Sequence, residues 1–258
     1  MPRPSKKSAR QARILALMDS NPLLRATDLS STLSVSSETI RRDLSELEAS
    51  GRITRTHGGA VRSQGFEPAL AERLTLMVPE RQRIAREAVQ MVSEVGSLFI
   101  GGGASTLHFA RALRVIDRRM QVITASFSIA QELSANPLLQ VMALPGCVEP
   151  KEGLVHGPET LAAIRTYRPE MAVIGASGVC VAGVSEALLA AAQVYAAMIG
   201  HSAETLILAD HSKFGKHALQ VITGWQPLRT LVTDAMPDEA LCSAIKDAGA
   251  KVVVARND

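Results

Sequence analysis

The sequence predicts an α/β chain in two parts: a small N-terminal helical unit ending in a hairpin, then a larger open, mostly parallel α/β domain. Three observations carry this. Residues 1–62 show helical periodicity closed by a glycine-rich hairpin, residues 81–258 alternate short apolar runs with helical ones, and the charge changes sign between them. The first 62 residues hold 11 Lys+Arg against 6 Asp+Glu, while the 258-residue chain carries only +3, which leaves the remainder net acidic by 2. The expected division is a first domain at 1–62, a linker at 63–80 and a second domain at 81–258.

In SARQARILALMDSN, Ile14, Leu15, Leu17 and Met18 fall at helical spacing, and Asn21-Pro22 stops that helix. Thr27 is placed to cap a short second helix, TDLSSTL, with Leu29 and Leu33 on one face; a tight turn at Ser34-Val35 follows. Ser36 then caps a third helix, SSETIRRDLSELEASG, whose Ile40, Leu44 and Leu47 form a buried stripe and whose Gly51 suits a left-handed C-terminal cap. Two helices joined by so short a turn make a helix-turn-helix.

The face opposite that stripe carries Glu38, Thr39, Arg41, Arg42 and Ser45, beside the helix start at Ser36-Ser37. Such a face suits a DNA major groove, where Arg reads guanine through two hydrogen bonds and the helix N-terminus attracts phosphate. RITRTHGGAVR then reads as two short strands about Gly58-Gly59, a wing that offers Arg52, Arg55, His57 and Arg62 to backbone phosphates, with the Gly58 backbone at its tip. A solvated arginine face explains the charge alone. It does not account for the turn, the cap, the arginine pair and the hairpin together, so a double-stranded DNA operator is the expected partner.

Composition narrows the alternatives. Hydrophobic residues make up 47% of the chain, enough for a large core, while 3% aromatic residues leave few platforms for stacking single-stranded bases. No run of 18 apolar residues occurs and MPRPSKKSAR lacks the apolar stretch of a signal peptide, so a cytoplasmic protein without membrane contact is expected. Cys147, Cys180 and Cys242 stand far apart with no Cys/His ligand spacing. They predict neither disulfide nor metal nor cofactor, and are expected to be buried thiols.

In the larger part, SLFIGGG, MQVITAS, LQVMALPG, MAVIGASG, TLILAD, RTLVTD and KVVVA are strand-like, separated by helical segments such as RQRIAREAVQMVSEV and DEALCSAIKDAG. The strands end in small or polar residues, and in open parallel sheets ligands sit beyond those carboxyl ends. There, Gly102, Gly103 and Ala104 open a helix near Ser105 and Thr106, whose backbone N–H groups and hydroxyls can cradle an anion; a tight turn without ligand is the competing reading. ADHSKFGKHAL places Asp210, His211, Ser212 and Lys213 just past a buried strand, with Lys213 suited to a phosphate or carboxylate and His211 to a surface or capping role.

The stretch from Arg10 to Val61 resembles the helix-turn-helix signature of DeoR-family transcription regulators, IRRDL and R-x-HGGA being its most characteristic pieces, and the resemblance continues to the C-terminus. It implies a body similar in fold to ribose-5-phosphate isomerase that senses a sugar phosphate or related metabolite. By that resemblance Gly103, Ser105, Thr106, Ser126, Gly178, Glu186, Asp210 and Lys213 match pocket positions. Departures from the family pattern are Gly101 and Ala104 in the usual Asp-x-Gly-Thr-Thr-Thr, Ala125 for Asn, Ser177 for Asp, and Tyr195-Ala196 for Lys-Arg. Ser177 and ADHSKFG are similar to the branch containing glycerol-3-phosphate repressors, which points to a small phosphorylated sugar or polyol as effector.

The resemblance therefore implies a repressor of a carbohydrate or polyol operon, released by its effector and working as a homodimer or homotetramer, since one winged head reads few base pairs. Two alternatives compete: an isomerase-like enzyme with a DNA-binding head, using Glu186, Asp210 and Lys213, or a repressor whose altered pocket binds nothing.

Overall fold

The structure, a computed structural model, describes residues 6–20, 26–49, 53–56, 59–62 and 67–256. It divides into two compact units, residues 1–68 and 69–258.

The first unit holds α1 (Lys6–Ser20), α2 (Ala26–Leu33), α3 (Ser37–Ala49) and the antiparallel pair β1 (Ile53–Thr56) and β2 (Gly59–Arg62). Its core holds most of the residues that the periodicity selects, Ile14, Leu15 and Met18 of α1, Leu29 of α2, Ile40, Leu44 and Leu47 of α3, closed by Ile53, while Leu17 and Leu33 are half-buried against it. The turn between α2 and α3 has a definite form. Ser34 adopts a left-handed φ of 53°, its N–H bonds to Ser31 O at 3.3 Å, and Val35 N–H reaches back to Ser30 O at 3.1 Å. That pair of bonds is a Schellman ending, which satisfies the last carbonyls of α2 while redirecting the chain. Ser36 caps α3 as expected, accepting from Thr39 N–H at 3.2 Å. The expected cap of α2 is corrected: the helix already includes Ala26, so exposed Thr27 lies inside its first turn. Gly51, expected as the cap ending α3, lies outside the described residues.

The second unit runs α4 (Leu70–Arg73), α5 (Val78–Met91), β3 (Ser97–Ile100), α6 (Ala104–Leu113), β4 (Met120–Thr124), α7 (Phe127–Leu133), β5 (Leu139–Ala143), β6 (Cys147–Glu149), β7 (Leu154–His156), α8 (Pro158–Thr166), β8 (Met171–Gly175), β9 (Gly178–Cys180), β10 (Gly183–Glu186), α9 (Leu189–Gly200), β11 (Glu204–Leu208), β12 (Gln220–Thr223), β13 (Arg229–Thr233), α10 (Glu239–Asp247) and β14 (Lys251–Val254). The seven strands read from the sequence form one parallel sheet in the order β14-β13-β11-β8-β3-β4-β5. Their side chains alternate between two cores. Leu98, Ile100, Val173, Leu206 and Leu208 pack with α5, α6 and α7, while Phe99, Ala172, Ile174 and Ile207 pack with α8, α9 and α10.

Two smaller antiparallel sheets, β12-β10-β9 and β6-β7, were not legible as strands. The cysteine expectation needs correction as well. Cys180 is buried and Cys242, in α10, is half-buried, but Cys147 is exposed, because β6 is the exposed strand of the β6–β7 hairpin and lies outside the main sheet. Among the described residues no helix is long and apolar enough to cross a membrane.

Candidate functional site

Two surfaces gather the residues singled out by the sequence, one in each unit. On the first, α3 turns Ile40, Asp43, Leu44 and Leu47 inward and leaves Arg41, Arg42 and Ser45 exposed. Arg41 and Ser45 are four residues apart and so share a face. Ser36 and Thr39 hydroxyls lie 2.8 Å apart and are engaged in the cap, and half-buried Ser37 donates to Ser30 Oγ at 3.4 Å. Arg55 lies in β1, whereas Arg52, His57 and Gly58 fall outside the described residues.

A polar clamp joins α3 to α1. Asp43 is 2% exposed and accepts from Arg10 Nε at 2.5 Å and Nη2 at 3.2 Å, while Glu46 accepts from Lys7 at 2.7 Å and Gln11 at 2.9 Å. The clamp fixes α3 against α1 on the side away from Arg41.

In the second unit, the strand order reverses direction between β3 and β8, and the segments after them diverge there. Gly101 N–H bonds to Val173 O at 2.9 Å, tying the two strand ends. Gly103 has φ 120°, a conformation open to glycine, and α6 starts beside it with no side-chain cap. Among the described residues, the N–H groups of Gly103, Ala104, Ser105 and Thr106 have no acceptor. This is the arrangement that binds an anion at a helix start. Thr106 donates to Gly103 O at 3.1 Å, and half-buried Ser105 precedes it.

Around this start the chain collects its neighbours. Ser126, at the end of β4, is buried, and its Cβ lies 3.7 Å from where a Cβ on Gly102 would stand. A Cβ on Gly175 would lie 3.8 Å from Gly102 O and 3.9 Å from Thr106 Cγ2. Ser177 donates to Glu186 Oε1 at 2.8 Å, and the same oxygen accepts from Ala187 and Leu188 N–H at 2.9 and 3.2 Å. Gly178 is a packing glycine, since a Cβ there would meet Lys216 O at 2.4 Å.

Asp210, expected at the pocket, lies just past β11. It is 0% exposed; its Oδ2 accepts from Arg81 Nε at 3.1 Å, and its Oδ1 accepts from Ser212 N–H at 3.1 Å and from the Ser212 hydroxyl. Burial pushes its carboxyl up, but Arg81, Ser212 and Lys213 outweigh that and hold it below the usual carboxylate range. Arg81 also donates to Arg73 O, and Arg73 makes a bidentate pair with Glu152 at 2.6 and 3.1 Å. The carboxylate thus orders the turn carrying half-buried Lys213, whose N–H bonds to Asp210 O at 3.0 Å. Beside it, His211 Nδ1 lies 2.6 Å from Asp234 Oδ2.

His108, on α6, is buried with Nε2 unpartnered; burial first, then Arg111 and Arg81, lower its pKa from 6.5 to about 4. A histidine depressed in the fold binds its proton more readily when unfolded, so the stability it permits is complete above pH 6.5 and is lost as pH falls toward 4. Unfolding free energy is expected to drop by on the order of 2 kcal/mol across that window. His108→Gln should flatten the profile; an unchanged slope in denaturant titrations at pH 7 and pH 4.5 would assign it elsewhere.

Sequence comparison agrees with this two-part organisation. Residues 10–65 match the family described as the DeoR-like helix-turn-helix domain, and residues 77–235 match the DeoR C terminal sensor domain. The chain is 31% identical over 246 residues to an uncharacterized HTH-type transcriptional regulator, YulB, of Bacillus subtilis, covering 94% of this chain and 95% of the relative. It is 27% identical over 244 residues to the glycerol-3-phosphate regulon repressor of Escherichia coli, covering 94% and 96%. Among solved structures, ribose 5-phosphate isomerase A of Methanocaldococcus jannaschii is similar over 54% of this chain and 55% of that one, at 17% identity and a TM-score of 0.40.

Proposed function

Since the chain belongs to the DeoR family of transcription regulators, we propose that it represses a carbohydrate or polyol operon and leaves its operator when a small phosphorylated metabolite binds the second unit. The observation that carries the effector half is the uncapped start of α6 at the point where the sheet reverses order, its four N–H groups without acceptors among the described residues. The DNA half rests on the exposed Arg41, Arg42 and Ser45 of α3. The relative named for glycerol 3-phosphate supports a triose or polyol phosphate as the first ligand to try.

A binding role is favoured over a catalytic one by the state of the carboxylates. Asp210 is held by Arg81 and Ser212, and Glu186 by Ser177 and two backbone N–H groups, so both serve as struts and neither stands ready to move a proton. Release requires the effector to prefer the arrangement of the protein that grips DNA poorly, because only differential affinity shifts such an equilibrium.

The test is fluorescence anisotropy on DNA from upstream of the protein's own gene against scrambled DNA at fixed salt, with a panel of sugar and polyol phosphates. Specific binding relieved by one phosphate supports the reading; specific binding that no phosphate alters removes the effector half. Arg41→Ala and Arg42→Ala are each expected to weaken operator binding by about 1–3 kcal/mol where the side chain reads a base. An equal loss on operator and scrambled DNA would reassign that arginine to the phosphate backbone.

A further inference from the structure

Two successive glycines at the end of β3 lack room for side chains, and Tyr195 of α9 limits both. A Cβ on Gly101 would lie 3.0 and 3.1 Å from Tyr195 Cε1 and Cδ1 and 3.1 Å from Ile174 Cδ1, and one on Gly102 would lie 3.2 Å from Leu154 Cδ1 and 3.3 Å from Tyr195 Oη. The ring is buried, and its hydroxyl donates to Gly102 O at 2.9 Å. The backbone it touches is the most permissive in the unit, three glycines in a row. Left alone, such a segment samples several peptide orientations, and a buried hydroxyl fixed on one carbonyl selects among them.

The orientation selected has a consequence at the next atom. The structure contains no cis peptide among the described residues, and across a trans peptide the N–H points opposite to the C=O. With the Gly102 carbonyl turned toward Tyr195, the Gly103 N–H is turned away from it, and this N–H is the first of the four that lack an acceptor at the start of α6. We propose that Tyr195 is a positioning residue, which holds the Gly102–Gly103 peptide so that Gly103 N–H joins the donors presented to a phosphate monoester, with Gly101 and Gly102 providing the clearance the ring needs. The absence of a side chain at Gly101 leaves the space in which the phenol ring stands.

This rests on the reading of the α6 start as the effector's anion site, and the test separates the two. The full-length protein is labelled with 15N-glycine and titrated with inorganic phosphate and with glycerol 3-phosphate, following the Gly103 amide and the affinity by calorimetry. In the wild type phosphate is expected to displace the Gly103 amide. Tyr195→Phe, which keeps the ring and deletes the donor, is expected to weaken phosphate binding about 5-fold, the equivalent of one neutral hydrogen bond, and to shrink the Gly103 displacement. Gly101→Ala, which keeps the phenol and crowds the ring, should act in the same direction and serves if the first variant folds poorly. Wild-type phosphate affinity and an undiminished Gly103 displacement in Tyr195→Phe, whatever happens to its melting temperature, would overturn the positioning role while leaving the anion site standing. Absence of any phosphate effect on Gly103 in the wild type would overturn the anion site and this role with it.

Discussion

Replacing Arg81 by methionine is expected to cost the second unit about 3–5 kcal/mol, because it leaves a carboxylate buried without its counter-charge. Asp210 is 0% exposed and Arg81 3%, so water cannot take over the lost partner. The loss should be measurable as a shift of the denaturant midpoint with an unchanged slope. A double variant, Arg81→Met with Asp210→Leu, removes both desolvation costs together and should recover much of the loss, as buried pairs exchanged for apolar residues commonly do. A single variant as stable as the wild type would show that the pair is not a strut. A double variant no better than the single would locate the cost in Arg81's other bond, to the carbonyl of Arg73.

Asp43→Ala is expected to weaken DNA binding without touching the DNA-facing side of α3. Among the described residues the first unit has a core of eight buried apolar side chains, and a unit that small has about 3–5 kcal/mol to lose. Removing the carboxylate leaves Arg10 without its acceptor on α3, so that of the clamp only the exposed bonds from Lys7 and Gln11 to Glu46 remain, at a cost of about 2–3 kcal/mol. Affinity should fall for every DNA sequence alike, the first unit should become sensitive to protease, and the second unit should melt as before. This differs from the expected effect of Arg41→Ala, which alters sequence preference in a folded head. A protease-resistant Asp43→Ala protein that still prefers its operator would refute the clamp.

The parallel sheet was legible because each of its strands is an apolar run stopped by glycine, proline or a polar residue, as in SLFIGGG and TLILAD. The antiparallel strands β6, β7, β9, β10 and β12 were not, since segments of three or four residues such as GVC and LVH contain too few residues to show a period. In the sites, residues adjacent in sequence were found together, as with Gly102 to Thr106. Pairs distant in sequence were missed: Arg10 with Asp43, Arg73 with Glu152, Arg81 with Asp210. A local signal existed for two of them. Arg81 falls on the stripe continued by Ile84, Ala85 and Ala88, and Asp43 falls on that of Ile40, Leu44 and Leu47. A charge on an apolar stripe must find a partner in the core. Tyr195 gave no such signal, because nearly every face of α9 is apolar or small.

The strand order also sets a schedule for folding. β3, the neighbour of the central strand β8, pairs with β4 on one edge and with β8 on the other, and β8 follows only after β5 and the β6–β7 hairpin. During synthesis the β3-β4-β5 half can assemble with α5, α6 and α7 while the other edge of β3 stays open, a row of unpaired N–H and C=O groups. Long-range parallel pairing of this kind is slow to form. The nascent chain therefore passes through a stage in which a small folded head precedes a half-sheet with an adhesive edge, and the arrival of β8 both seals that edge and brings Gly175 against the α6 start.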